Sequence, residues 1–194
     1  MPRPGVRPET AVEKACEEIV KSVCQSVSIP VAVKLSPFYT NFRAFASRLD
    51  AAGVKGIVVF NRFYQPDIDV ENLEAIPTLR LSTSDELLIR LRWAAALYGQ
   101  VKADIAVTGG VHTAIDGLKA VMTGASAVQL ASALLTHGPK YLKTLREQLA
   151  QWLEKHEYTS LAQAKGSMSL KNTPNPSVFE RGNYMKVLQT WSTG

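Results

Sequence analysis

Apolar residues recur over residues 9–27 as Ala11, Val12, Ala15, Ile19, Val20 and Val23, with Glu13, Glu17, Glu18 and Lys21 opposite. That spacing lines one face of a helix. The pattern then changes. Ile29-Pro30-Val31-Ala32-Val33-Lys34-Leu35 is short, β-branched and apolar but for one lysine, and Ser36-Pro37 breaks it, so it reads as a buried parallel strand. A helix follows over Asn41 to Ala52 with Gly53 as its cap, then a second strand, Gly56-Ile57-Val58-Val59-Phe60, which ends in polar Asn61-Arg62. After a long loop the alternation resumes: a helix from Ser84 to Tyr98 stopped by Gly99, a strand at Asp104–Thr108 closed by Gly109-Gly110, and a helix from Thr113 to Met122 ended by Gly124. A fourth strand is predicted at Ala127–Ala131, a long helix at Pro139–Lys155 with Leu142, Leu145, Leu149, Trp152 and Leu153 on one face, and a shorter helix at Ser160–Lys165.

Strands and helices alternating at this spacing mean βαβ units and a parallel sheet. The order alone suits either a small doubly wound sheet or part of a (β/α)₈ barrel, whose full form takes about 250 residues. In both, polar signals belong just after the strands, where ligands of parallel sheets bind.

Composition narrows the class. The chain has 194 residues, 46% of them hydrophobic, with 12 Gly and 10 Pro, which excludes collagenous and low-complexity chains. Its apolar runs fall far short of the roughly 18 residues that cross a bilayer, and no charged-then-apolar leader opens it. The expectation is a soluble, cytoplasmic protein without membrane partners. Twenty-two Lys and Arg against 17 Asp and Glu give a net charge of +5, but no block of five like charges occurs, so the excess reads as solvated surface and nucleic acid is not an expected partner. Cys16 and Cys24 sit eight residues apart on a predicted helix, about 12 Å of rise, too far for a disulfide. They read as reduced thiols. Met1 to Pro8, with three prolines, a glycine and two arginines, reads as a flexible leader, and residues 9–194 as a single domain with a helical C-terminal tail.

Thr108-Gly109-Gly110-Val111 lies between a strand and a helix. Glycines there let backbone approach a ligand closely, and N–H groups at a helix start favour phosphate; the same residues also suit a plain strand-to-helix turn. The next strand ends in Gln129-Leu130-Ala131-Ser132, whose amides at Ala131 and Ser132 would complete an anion cradle. Neither GxxxxGK[ST] nor GxGxxG is present, so the nucleoside triphosphate and dinucleotide fingerprints are absent. His112 stands beside the Gly-Gly turn, as a surface residue at a helix start or a proton donor. His137 and His156 have no partners at ligand spacing, so no metal is expected. Phe63, Tyr64 and Asp67 to Asp69 follow the second strand, where they pack or line a mouth.

Taken together, Pro30-Val31-Ala32-Val33-Lys34-Leu35-Ser36-Pro37, Val59-Phe60-Asn61, Thr108-Gly109-Gly110-Val111, Gly124-Ala125 and Val128-Gln129-Leu130-Ala131-Ser132-Ala133-Leu134 resemble the successive strand ends of the dihydroorotate dehydrogenase family. The resemblance runs from about Ile19 to Gly166 and implies an FMN-binding (β/α) barrel of TIM type, here its second half of about four βα units. It implies an FMN-dependent oxidoreductase that converts dihydroorotate to orotate in pyrimidine biosynthesis. Lys34 matches the lysine beside the flavin that supports negative charge on the reduced ring, Asn61 an asparagine near flavin and substrate, and Gly109, Gly110, Ala131 and Ser132 the FMN phosphate cradle.

The departures are specific. Arg62 follows the asparagine where the family often has a small hydroxyl residue, and Ala131 stands where glycine is frequent. The family's catalytic cysteine or serine, carried by the other barrel half, has no counterpart, and Cys16 and Cys24 read as small buried hydrophobes. The alternative is therefore a non-catalytic flavin- or phosphate-binding half barrel. Four parallel strands without a continuation leave two open edges and, if Val31, Val33, Ile57, Val59, Ile105, Val107 and Val128 line the barrel interior, an apolar face. A homo-oligomer or a complementing half barrel is the expected partner, besides a small-molecule substrate.

Overall fold

The computed structural model describes residues 9–179 and 183–190; the expected leader, residues 1–8, lies outside the described residues. Helix α1 (Glu9–Ser26) leads into β1 (Ala32–Leu35), α2 (Phe42–Ala51) and β2 (Gly56–Val59). A hairpin of β3 (Asp67–Asp69) and β4 (Glu74–Ile76) intervenes before α3 (Leu87–Leu97), which a 3₁₀ turn at Ser84–Glu86 introduces. Then come β5 (Asp104–Thr108), α4 (Ala114–Thr123), β6 (Ala127–Gln129), α5 (Ser132–His137), α6 (Tyr141–Lys155), α7 (Leu161–Ala164) and α8 (Asn183–Thr190). The elements predicted from periodicity are all present. The hairpin and α5 are additions, α8 falls in the tail expected to be helical, and the fourth strand stops at Gln129 because the chain turns into α5 at Ser132.

The four main strands are parallel and stand in chain order, β1-β2-β5-β6. A doubly wound sheet requires a reversal of strand order and helices on both faces; this sheet has no reversal. Its register aligns Val33, Ile57 and Ile105 in one row and Leu35, Val59, Val107 and Val128 in another. These rows pack in one core with Val20 of α1, Phe42, Phe45 and Leu49 of α2, Leu87, Ala94 and Leu97 of α3 and Ala120 of α4. The helices thus cover one face, as in the wall of a barrel.

That corrects the expected orientation of the strands. Val33, Ile57, Val59, Ile105, Val107 and Val128 belong to the helix-packed core, and Val31 precedes β1. The alternate residues Ala32, Lys34, Gly56, Val58, Ala106, Thr108, Ala127 and Gln129 form the other face. The physical reason is volume. Large apolar side chains fill the layer between sheet and helices, whereas the other face carries the small Ala32, Gly56, Ala106 and Ala127 and the polar Lys34, Thr108 and Gln129.

Phe42 anchors the helix layer. It is fully buried and meets Phe60 and Trp93 edge-on, each with ring centroids 5.0 Å away; emptying such a site costs about 3–5 kcal/mol. The start of α4 is fixed by a capping box: Thr113 Oγ1 accepts from the Asp116 amide at 3.1 Å, while Asp116 Oδ2 accepts from the Thr113 amide at 2.9 Å.

Candidate functional site

A cavity of about 140 Å³ opens where β1, β5 and β6 end, walled by Lys34, Thr108, Gly109, Gly110, Ala131 and Ser132, with Phe60, Arg62, Ser82 and Gln129 beside them. Five of the six residues proposed from sequence therefore meet in one place. Asn61 does not line it. Its amide instead donates to Leu35 O at 2.7 Å, tying the end of β2 to the end of β1. The volume is below the roughly 300–1,000 Å³ of pockets that enclose a drug-sized ligand and suits one end of such a molecule, such as a phosphate.

The Gly-Gly turn is built by what lies beneath it. Gly109 and Gly110 have φ of +85° and +81°, a region that side chains disfavour. A Cβ on Gly110 would stand 2.5 Å from the backbone nitrogen of Leu87, and one on Gly109 would stand 2.9 Å from Arg90 Nη2. Arg90 is 5% exposed; its Nε donates to Thr108 O at 2.7 Å and its Nη1 to Glu86 O. Burial draws its pKa down, Glu86 opposes that and Arg62 adds to it; the group stays a cation.

Ser82, also 5% exposed, closes the floor. Its amide donates to Ser132 Oγ at 3.1 Å, its hydroxyl pairs with His112 Nε2 at 3.2 Å, and the Gly110 amide points at its Oγ from 3.4 Å. Asp116 holds the segment after the turn, accepting at Oδ2 from Ser84 Oγ at 2.7 Å and from the His112 amide at 3.1 Å. Burial acts to raise its pKa, but the hydrogen bonds from Ser84, His112 and Thr113 outweigh it and hold the carboxyl below its ordinary value. His112, expected as a surface residue or proton donor, is thus fixed at three points, the third being Tyr141 Oη donating to its carbonyl at 3.1 Å.

On the opposite wall Lys34 has no ion-pair partner among the described residues. Arg62 is held by a fork from Glu86, with Nη2 to Oε1 at 3.1 Å and Nε to Oε2 at 3.3 Å. Arg62 also borders a second cavity of about 230 Å³, shaped by Phe63, Tyr64, Leu79 and Arg80, while Asp67 to Asp69 form β3. Cys16 and Cys24 are half-buried in α1, away from the cavity lining, and burial pushes the Cys16 thiol up. No cluster of metal-ligating side chains occurs among the described residues, nor does any helix there have the length and apolarity to cross a membrane.

Ser82 and Arg90 are the contributors that sequence reasoning missed. They lie 28 and 20 residues before Gly110 in no recognisable motif. The only available signal for Arg90 was a cation at a position where the helical pattern of α3 calls for an apolar residue.

Residues 3–153 match the profile of the family described as "Dihydroorotate dehydrogenase". The quinone-type dihydroorotate dehydrogenase of Rhodococcus erythropolis is 30% identical over 172 residues, covering 84% of this chain and 48% of that protein. The catalytic subunit of the NAD(+)-type B enzyme of Caldicellulosiruptor bescii is 28% identical over 160 residues, covering 81% and 53%. The ligand-free DHODH structure from Eimeria tenella superposes with a TM-score of 0.63 over 79% of this chain and 49% of that one at 18% identity, and the same fold recurs in its ferulenol complex at 0.57. The chain spans about half the length of the curated relatives it matches. With a four-stranded parallel wall of the TIM-barrel kind, in the strand order of consecutive βα units, it belongs to the dihydroorotate dehydrogenase family.

Proposed function

We propose that this half barrel contributes the phosphate-side FMN site of a dihydroorotate dehydrogenase-type oxidoreductase. The observation that carries the reading is the convergence of Gly109, Gly110, Ala131, Ser132 and Lys34 on one cavity at the carboxyl ends of the strands. Positive-φ glycines, the uncapped opening amides of α5 and an unpaired lysine suit a dianionic phosphate and an electron-rich ring. Bound FMN supplies hydride acceptance from a substrate C–H. The chain's own work is to hold and to polarise. The cradle amides take the phosphate, Lys34 offsets negative charge on the ring side, and Arg62, fixed by Glu86, faces the mouth through which a small-molecule substrate arrives.

Among the described residues no cysteine or serine stands in this cavity free of structural hydrogen bonds, since Ser82 and Ser132 are both engaged in its floor. That favours a second reading for the chain on its own, a flavin-binding module whose proton-abstracting base comes from elsewhere. Soluble cytoplasmic residence and a partner that completes the sheet, a second copy or a complementing half, belong to the same proposal.

Titration with FMN and with riboflavin, followed by flavin fluorescence, tests the site. FMN is expected to bind at least about tenfold more tightly, because only it carries the phosphate, and Ala131→Asp is expected to remove that preference by placing a carboxylate at the cradle. Equal affinity for the two flavins in the parent protein would refute it.

A further inference from the structure

We infer that Arg90 is a positioning residue that sets the anion affinity of the cradle from beneath, without touching the ligand. The inference rests on the phosphate-side reading of the cavity and extends it to a group outside the cavity lining.

A buried cation is costly unless paired. Arg90 is 5% exposed, yet its only carboxylate neighbour among the described residues, Glu86, stands 4.0 Å from Nη2 and is engaged more closely, at 3.1 Å, by Arg62. What holds Arg90 instead are two backbone carbonyls, Thr108 O at the end of β5 and Glu86 O just before α3. Carbonyl dipoles fix its position without cancelling its charge. That charge lies directly below the turn, since the space where a Gly109 side chain would begin is within 3.2 Å of Nη2, Nε and Cζ of the guanidinium.

Two consequences follow. The guanidinium splints the end of β5 to the start of α3, so the turn bearing Gly109 and Gly110 is held in place before any ligand arrives. It also leaves a net positive field under the amides, in a setting where water screens poorly, and an anion above them compensates the buried charge. Glycine at 109 is then required for more than its φ: any side chain would separate the cation from the turn.

The two roles predict different behaviour on substitution, and the ratio of FMN to riboflavin affinity separates them. Arg90→Gln removes the charge and keeps a hydrogen-bonding side chain; Arg90→Lys keeps the charge with fewer donors. In Arg90→Gln the preference for FMN over riboflavin is expected to fall about tenfold or more while riboflavin affinity stays within about twofold, and Arg90→Lys is expected to restore most of the preference. Far-UV circular dichroism of both variants provides the folding control. Equal losses for both flavins, or a Lys variant no better than Gln, would make Arg90 a splint only and overturn the inference. A parent protein that does not prefer FMN would instead refute the phosphate-side reading itself.

Discussion

Replacing Asp116 with asparagine removes one charge from a point where three separate donors converge. The side chain is 5% exposed and Oδ2 accepts from Ser84 Oγ, the His112 amide and the Thr113 amide at 2.7, 3.1 and 2.9 Å. Hydrogen bonds to an ionised acceptor contribute about 1.5–3 kcal/mol each, but the amides of His112 and Thr113 are near solvent and recover part of this from water. A net loss of about 2–4 kcal/mol follows, which at a urea m-value of about 2 kcal/mol/M lowers the unfolding midpoint by about 1–2 M. The pH dependence gives a second check. The folded-state pKa lies below the unfolded value of 3.8, so the carboxylate's contribution is complete above the unfolded value and is lost as pH falls through the lower folded one. The gap between parent and Asp116→Asn is therefore expected to be constant from neutral pH down to about pH 5 and to narrow below about pH 4. Asp69 and Asp104, also held low, titrate alike in both proteins and cancel from the difference. Urea unfolding followed by circular dichroism at pH 7, 5 and 3.5 measures it. A gap under about 0.5 kcal/mol at pH 7, or one that does not narrow in acid, would refute the reasoning.

Lys34→Ala is expected to lower the reduction potential of bound FMN, because removing a nearby cation disfavours added negative charge; matching potentials in spectroelectrochemical titration would make Lys34 structural. Light scattering on the purified chain should give a mass above the 21.2 kDa of one copy, since β1 and β6 each have one unpaired side among the described strands; a dilution-resistant monomer would refute pairing with a second copy.

The parts of the fold legible in the sequence were those with dense local signals. Gly56-Ile57-Val58-Val59 could only be a buried strand, and Thr113 with Asp116 three residues on marks a helix start. The facing of the strands was harder, because runs such as Val31-Ala32-Val33-Lys34-Leu35 look continuously apolar. The useful cues were size and charge, with the small Ala32, Gly56, Ala106 and Ala127 and the charged Lys34 alternating with large apolar residues. The hairpin was hidden by its length: β3 and β4 are three residues each, too short for a period to register. The cradle was visible in Gly109-Gly110, whereas Ser82 and Arg90 join it only through tertiary packing that brings α3 beneath the end of β5.

The hairpin segment has a consequence for how this scaffold tolerates change. At one end the Asn61 amide is tied to Leu35 O, and at the other the Ser82 amide is tied to Ser132 Oγ. Between those two clasps the chain leaves the sheet, and β2 pairs directly with β5 as if nothing intervened. Lengthening or exchanging residues 63–80 therefore leaves the strand register untouched, and each doubling of such a loop costs only about 0.6 kcal/mol in closure entropy. The rim of the cavity beside Arg62 is a separable module. Grafting a different hairpin between the clasps would alter what surrounds Arg62 while Gly109, Gly110, Ala131 and Ser132 stay as they are, so the two cavities are open to independent engineering in one chain.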